Sequence, residues 1–260
     1  MWGDIRDYNT CDKACDGMDM VCHQAALGSV PRSINDPVTT NNVNIGGTLN
    51  IFTAAKENGI KRVVYAASSS TYGDSKELPK VEDNIGSPLS PYAVTKLVSE
   101  LYANVFGDLY NMEFVGLRYF NIFGPKQDPN GAYAAVIPLF FKAALSGNAP
   151  TINGDGSYSR DFTYVDNAIQ ANLLALFTEN KEAVNEVYNI ACGKRTSLNE
   201  LWIMIQEVCE VDLPANYGPQ RAGDVPHSLA DINKAREKIN YSQLFQIKEG
   251  LEISCEFYKI

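Results

Sequence analysis

Between Met18 and Ile190 the chain alternates short apolar runs with helix-like stretches, and this rhythm limits its fold more than any other feature. Met18 to Ala26, Lys61 to Ala67, Glu113 to Arg118 and Val187 to Ile190 read as strands apolar on both faces. Such strands belong in a parallel sheet covered by helices. Met1 to Asp7 reads as the end of a further strand, followed by a short polar helix. Asp36-Pro37 opens a long helix with Ile45, Leu49 and Phe52 on one stripe, and Asn58-Gly59 closes it. A second helix runs from Tyr92 to about Phe106, with Val94, Leu97, Leu101 and Val105 expected to face inward. A third runs from Asp166 to about Thr178. Strands and helices in this order predict an α/β fold on a parallel sheet with right-handed crossovers.

After Gly124 the rhythm loosens. Gly, Asn and Pro cluster through 124–131, a helix follows from about Ala134 to Leu145, and a second glycine-rich stretch, Asn153 to Gly156, leads to Arg160-Asp161-Phe162-Thr163-Tyr164-Val165. Ser197-Leu198-Asn199-Glu200 is a capping box that starts another helix. Arg221-Ala222-Gly223-Asp224 and two short helices end the chain.

Composition excludes several classes of function. A net charge of −9 with no basic run argues against nucleic-acid binding, and no apolar run is long enough to span a membrane. The six cysteines form no C-x-x-C and read as scattered thiols of a reducing, cytoplasmic compartment, with Cys11 and Cys15 able to share a helical face. His23 and His227 are the only histidines, too few for a zinc site or a histidine triad, so no metal is expected.

The chemistry centres on Tyr92 and Lys96. Four residues is slightly more than one helical turn, so phenol and ammonium stand on one face. A cation about 4 Å from the phenol at an effective dielectric of about 20 favours the phenolate by roughly 4 kcal/mol, or about three pKa units. That brings a tyrosine toward the pH at which a general base works best. Ser68-Ser69-Ser70-Thr71-Tyr72-Gly73 leaves the carboxyl end of a predicted strand, where α/β sheets bind ligands. A serine there can donate and accept together, and so relay a proton to a phenolate. Tyr119-Phe120-Asn121 occupies the end of the next strand.

Together these residues closely resemble the extended short-chain dehydrogenase/reductase family, in particular its nucleotide-sugar 4-epimerases. The resemblance runs from Gly3-Asp4-Ile5-Arg6 to the C-terminus. It is closest to UDP-N-acetylglucosamine 4-epimerases in Ala26 to Ser33, Ser68 to Asp74 and Gln127 to Ala135. It implies a Rossmann-type doubly wound parallel sheet at 1–123 and 161–190, and a smaller α/β substrate domain at 124–160 and 191–260. It also implies NAD as cofactor, a UDP-sugar as substrate, and a homodimer joined through the helix after Pro37 and the Tyr92 helix. By motif, Tyr92 is the base for the sugar 4-hydroxyl, Lys96 its partner and a ribose contact, and Ser68 the catalytic serine, with Ser69 beside it. Asp4 and Ile5 match positions lining the adenine. Gln24, Ala25, Ala26, Asn42 and Ala67 match the cofactor channel, and Tyr119 and Phe120 sit by the nicotinamide. Gly28, Ser29, Ser68, Ser69, Ser70, Asn121, Ala135, Val136, Arg160, Arg221, Asp224 and Ser228 match sugar-nucleotide positions. Arg160 and Arg221 are at the diphosphate, and Ser228 leaves room for an N-acetyl group.

One departure stands out. The family's opening strand and G-x-x-G-x-x-G turn, which seats a pyrophosphate at a helix N-terminus, has no counterpart in this sequence. The resemblance therefore implies an N-terminally truncated chain with an uncovered strand edge at Val21 and weak NAD binding. Two other readings are a nucleotide-sugar dehydratase or decarboxylase of the same superfamily, and a truncated non-catalytic binding protein. Serine at 69 and 70, where a dehydratase needs an acid, disfavours dehydration.

Overall fold

The apolar runs form four parallel strands in a computed structural model that describes residues 1–131, 134–220 and 225–259. The first half contains α1 (Tyr8–Cys15), β1 (Met20–His23), α2 (Val30–Asn35), α3 (Pro37–Asn41), α4 (Thr48–Glu57), β2 (Arg62–Ser68), α5 (Pro91–Tyr110), β3 (Glu113–Tyr119) and β4 (Ile122–Phe123). The second contains α6 (Val136–Leu145), β5 (Thr151–Asn153), β6 (Ser159–Arg160), β7 (Thr163–Tyr164), α7 (Val165–Phe177), β8 (Glu186–Ile190), β9 (Thr196–Ser197), α8 (Leu198–Cys209), β10 (Asn216–Gly218), α9 (Asn233–Ile239) and α10 (Ile247–Tyr258).

The main sheet has the order β1-β2-β3-β8, with Met20 opposite Arg62, Arg62 opposite Glu113 and Val115 opposite Glu186. Side chains alternate along each strand and so serve two cores. Val63, Tyr65, Ala67 and Phe114 pack with Phe52 and Ala55 of α4 and Ala103 and Phe106 of α5. Val64, Val115, Leu117, Tyr188 and Ile190 pack on the other face against Ala171 and Ala175 of α7 and Ala235 and Ile239 of α9. A third core joins α6, α8 and α10 through Phe141, Ile205 and Leu251. Helices on both faces of a parallel sheet are the expected α/β arrangement. Among the described residues β1 pairs with β2 alone, leaving the edge at Val21 that the sequence predicted.

Several local expectations need correction. Met1 to Asp7 contains no strand. The Asp4 carboxylate accepts the Arg6 backbone N–H at 2.9 Å and folds a turn, and the Asp7 side chain caps α1 through the Asn9 N–H. The helix opened by Pro37 is a continuous run, but a π-turn at Asn42–Gly47 interrupts it between α3 and α4. The largest correction concerns α5. Val94, Leu101 and Val105 are 46%, 55% and 49% exposed and Leu97 is half-buried, so most of the apolar stripe expected to face inward faces solvent instead. The buried face carries Ala93, Lys96, Ser99, Glu100, Ala103 and Gly107. A helix presents only one face to the sheet, and this one sends Lys96 toward β2 and Glu100 to a buried Arg118 on β3, whose Nε and Nη2 bind its carboxylate at 3.0 and 2.8 Å. The capping box at Ser197 and Glu200 forms as predicted.

Candidate active site

Two local devices fix the ends of β2 and α5. Ser90 accepts the Ala93 N–H at 3.1 Å and Pro91 occupies the first turn, which starts α5 one residue before Tyr92. At the end of β2, the Ser68 hydroxyl oxygen accepts from the Ser70 N–H at 3.1 Å and the Ser70 hydroxyl at 2.9 Å, opening a 3-10 turn at Ser69–Tyr72. Gly73 closes that turn with φ of +51°, and a Cβ there would meet the Ser87 carbonyl oxygen, so only glycine fits.

Tyr92, Lys96, Ser68 and Ser69 meet at one cavity of about 370 Å³, with Gln24, Ala26, Gly28, Ala67, Tyr119 and Asn121 also on its wall. A second cavity of about 490 Å³ holds Ser69, Ser70, Phe120, Asn121, Arg160 and Ser228. Ser69 and Asn121 line both, so the two spaces share a wall at the carboxyl ends of β2 and β3. Phe120 faces the second cavity, not the first.

Other expected site residues lie elsewhere. Asp4 is exposed and paired with Arg6 at 2.5 Å, Ala25 is exposed, and Ile5 packs beside Gly47. Ser29, at φ of 96°, caps α2 by accepting the Arg32 N–H. Ala135 and Val136 start α6 and line neither cavity. Asn42 is exposed, and the asparagine that turns inward is Asn44, two residues into the π-turn. Asn44 accepts the Leu27 N–H at 2.8 Å and donates to the Leu27 carbonyl and the Thr95 hydroxyl, both at 3.1 Å, pinning the 26–28 loop against α5. Arg221 and Asp224 lie outside the described residues, as do Ala132 and Tyr133 of the Gln127 to Ala135 motif.

The electrostatics depart from the simple expectation for Tyr92. Burial raises its phenol above the ordinary value, and the Ser68 side chain works in the opposite direction. The Lys96 ammonium donates to the Ala66 carbonyl at 2.7 Å, so its charge is held by the strand below. Burial lowers Lys96 to about 8, with the Glu100 carboxylate one turn along opposing that shift. Ser68 accepts two hydrogen bonds from Ser70, which leaves its own proton for a partner on the Tyr92 side. On the opposite wall the Tyr119 hydroxyl donates to the Gln24 side-chain oxygen at 3.1 Å and accepts from the Asn172 amide at 2.7 Å. Nothing in the sequence around Asn172 marked it as part of this wall.

The fold that carries this serine-backed phenol and buried lysine matches known proteins over most of the chain. The sequence model of the NAD dependent epimerase/dehydratase family matches residues 1–191. The chain belongs to that family. It is 40% identical to the UDP-N-acetylglucosamine 4-epimerase of Methanobrevibacter ruminantium M1, solved in complex with UDP-N-acetylmuramic acid, with a TM-score of 0.94 over 99% of this chain and 82% of that one. It is 33% identical to the UDP-glucose 4-epimerase of Thermotoga maritima solved with UDP-glucose, with a TM-score of 0.93 over 98% of this chain and 82% of that one. The UDP-glucose 4-epimerase of Mycolicibacterium smegmatis is 33% identical over 242 residues, which is 93% of this chain and 76% of that relative.

This family member therefore has the Rossmann-type sheet of the epimerases, and its cofactor is NAD. The cavity at Tyr92 and Lys96 fits the nicotinamide-ribose half of that cofactor. Ala26, Gly28, Ala66 and Ala67 give it small walls that a flat ring can approach, and Lys96 and Tyr92 supply polar groups suited to ribose hydroxyls. The sequence offers no glycine-rich turn for the pyrophosphate.

Proposed function

We propose that the chain inverts C4 of a UDP-sugar, with UDP-GlcNAc and UDP-GalNAc as the preferred pair. The observation that carries this reading is the shared wall of the two cavities. A sugar ring held in the larger one meets Ser69 and Asn121 where the Tyr92–Lys96 cavity begins. Tyr92 takes the proton from the 4-hydroxyl, Ser68 hydrogen-bonds the phenol and passes the proton, and Lys96 holds the ribose next to it. Oxidised NAD, when bound, supplies a hydride acceptor for C4 and a positive ring that favours the phenolate. Ser70 and Asn121 orient the sugar so that either face of C4 can be presented.

The larger cavity suits an anionic ligand. Its ionised lining side chains among the described residues are Lys80 and Arg160, both cations in a chain of net charge −9. Arg160 and Arg221 bind the diphosphate, where arginine forks match phosphate oxygens. Asp4, Ile5, Ala25, Asn42, Ser29, Ala135, Val136 and Asp224 complete the proposed cofactor and substrate contacts. The third core, around α6, α8 and α10, forms the body of the UDP-sugar-binding part. Ser228 is a small residue on the cavity wall and leaves space that an N-acetyl group fills. The 40% identity to an enzyme named for UDP-GlcNAc supports the same choice.

The active form is a homodimer. The exposed Val94, Leu101 and Val105 on α5, with Val38 of α3 at 68% exposure, form an apolar face that a second copy covers. The proposed compartment is the cytoplasm, in keeping with cysteines that are all free thiols. No helix among the described residues is long and apolar enough to cross a membrane. Incubation with UDP-GlcNAc at saturating NAD, followed by proton NMR, tests the reading. UDP-GalNAc is the expected product, and a stable 4-keto-6-deoxy sugar would place the chain among dehydratases.

A further inference from the structure

His227 is one of two histidines in the chain, and its setting resembles that of a ligand donor. It belongs to the segment Pro226 to Ser228, which lies beside β6 through backbone bonds. The Ser159 N–H donates to the Pro226 carbonyl at 3.0 Å, and the Ser228 N–H donates to the Ser159 carbonyl at 3.1 Å. The Arg160 guanidinium donates to the same two carbonyls, of Ser159 at 3.0 Å and of Pro226 at 3.2 Å. One backbone pairing therefore brings Arg160, His227 and Ser228 to the wall of the 490 Å³ cavity.

The ring itself is oriented. Its Nδ1 lies 2.9 Å from the hydroxyl of Ser159, a buried residue. That hydroxyl has no other acceptor among the described residues, so the arrangement that satisfies both groups has Oγ–H donating to Nδ1. With Nδ1 accepting, the N–H of the ring is on Nε2. No partner for Nε2 exists among the described residues, and the ring lines the cavity beside Arg160. A fixed N–H donor next to a guanidinium, in a space lined by cations, suits an anion with several acceptor oxygens.

We propose that His227 is a diphosphate-contacting residue of the sugar-nucleotide site, its Nε2–H donating to a phosphate oxygen beside Arg160 with Ser159 holding the ring. This deepens the UDP-sugar reading and rests on it. The alternative role, in which the ring only props up the 226–228 segment, predicts different binding behaviour.

Calorimetric titration with UDP and with uridine separates the two. His227→Ala is expected to weaken UDP binding about 10-fold, the size of one hydrogen bond to a charged acceptor, and to leave uridine binding unchanged. His227→Gln, which offers an amide N–H at a similar reach, regains most of the UDP affinity. Unchanged UDP binding in His227→Ala, or an equal loss for UDP and uridine, would overturn the proposal. If the unmutated chain bound neither compound, the sugar-nucleotide reading itself would fall, and this inference with it.

Discussion

The Lys96 ammonium sits 2.7 Å from the Ala66 carbonyl oxygen, so the buried lysine of α5 is tied to the strand carrying Ser68. Burial lowers Lys96 to about 8 against an ordinary value of 10.5. Chemistry that needs the charged lysine therefore declines above about pH 8, earlier than for a solvated lysine. Stability moves the other way. Between about 8 and 10.5 the unfolded chain holds a proton that the folded chain has released, so stability rises with pH across that window. A pH–rate profile together with thermal melts checks both, and Lys96→Met is expected to abolish the rise in melting temperature.

His23 gives the acid side. It is buried against Thr48, with Nε2 2.9 Å from the hydroxyl, and burial followed by the nearby Lys96 charge lowers it to about 4 from 6.5. The folded protein keeps this ring neutral, while the unfolded chain protonates it below 6.5. Stability therefore falls as pH drops from 6.5 to about 4, by about 3 kcal/mol in total. Melts of His23→Gln should be flatter over that range. An equally steep loss in the variant would assign the acid sensitivity to another group.

The bidentate Glu100–Arg118 pair is almost fully buried, at 6% and 5% side-chain exposure. Removing one partner strands the other charge in the core. Arg118→Met is expected to cost about 3–5 kcal/mol in urea unfolding, far more than an exposed ion pair. A cost under about 1 kcal/mol would mean that water reaches Glu100.

Leu101 is 55% exposed in the middle of the outward stripe of α5. If the proposed second copy pairs through this face, a carboxylate there would repel its two-fold counterpart while keeping the helix intact. Light scattering is expected to give a dimer for the unmodified chain and a monomer for Leu101→Glu. A dimer that survives the substitution points to a different face.

Four strands of the main sheet and its parallel α/β class were readable because fully apolar runs of strand length, separated by helices with clear caps, leave few alternatives, whereas the strand expected at Met1 to Asp7 is absent. The meeting of Tyr92, Lys96 and Ser68 at one cavity was also readable, since it depends on local spacing and on one strand end. Contacts made across the fold were not. Asn44, not Asn42, is the asparagine that turns inward and holds Leu27, because a π-turn shifts the register of the helix face, and no residue pattern announces such a turn. The stripe on α5 misled because Val94 and Leu101 look like core, while the real inner face is built from Lys96, Glu100 and small residues. The Tyr92 phenol was expected to be drawn down by Lys96, but that ammonium is bound to a backbone carbonyl whose position only the folded sheet defines.

The central claim is that the Tyr92 phenol, backed by Ser68 and beside Lys96, moves the proton of a sugar hydroxyl. Its most direct test is the rate of UDP-GlcNAc conversion to UDP-GalNAc by the unmodified chain and by Tyr92→Phe, both at saturating NAD and matched UDP affinity. General-base loss predicts a fall of about 10²–10⁴-fold in kcat for the phenylalanine variant. Equal rates in the two proteins would contradict it.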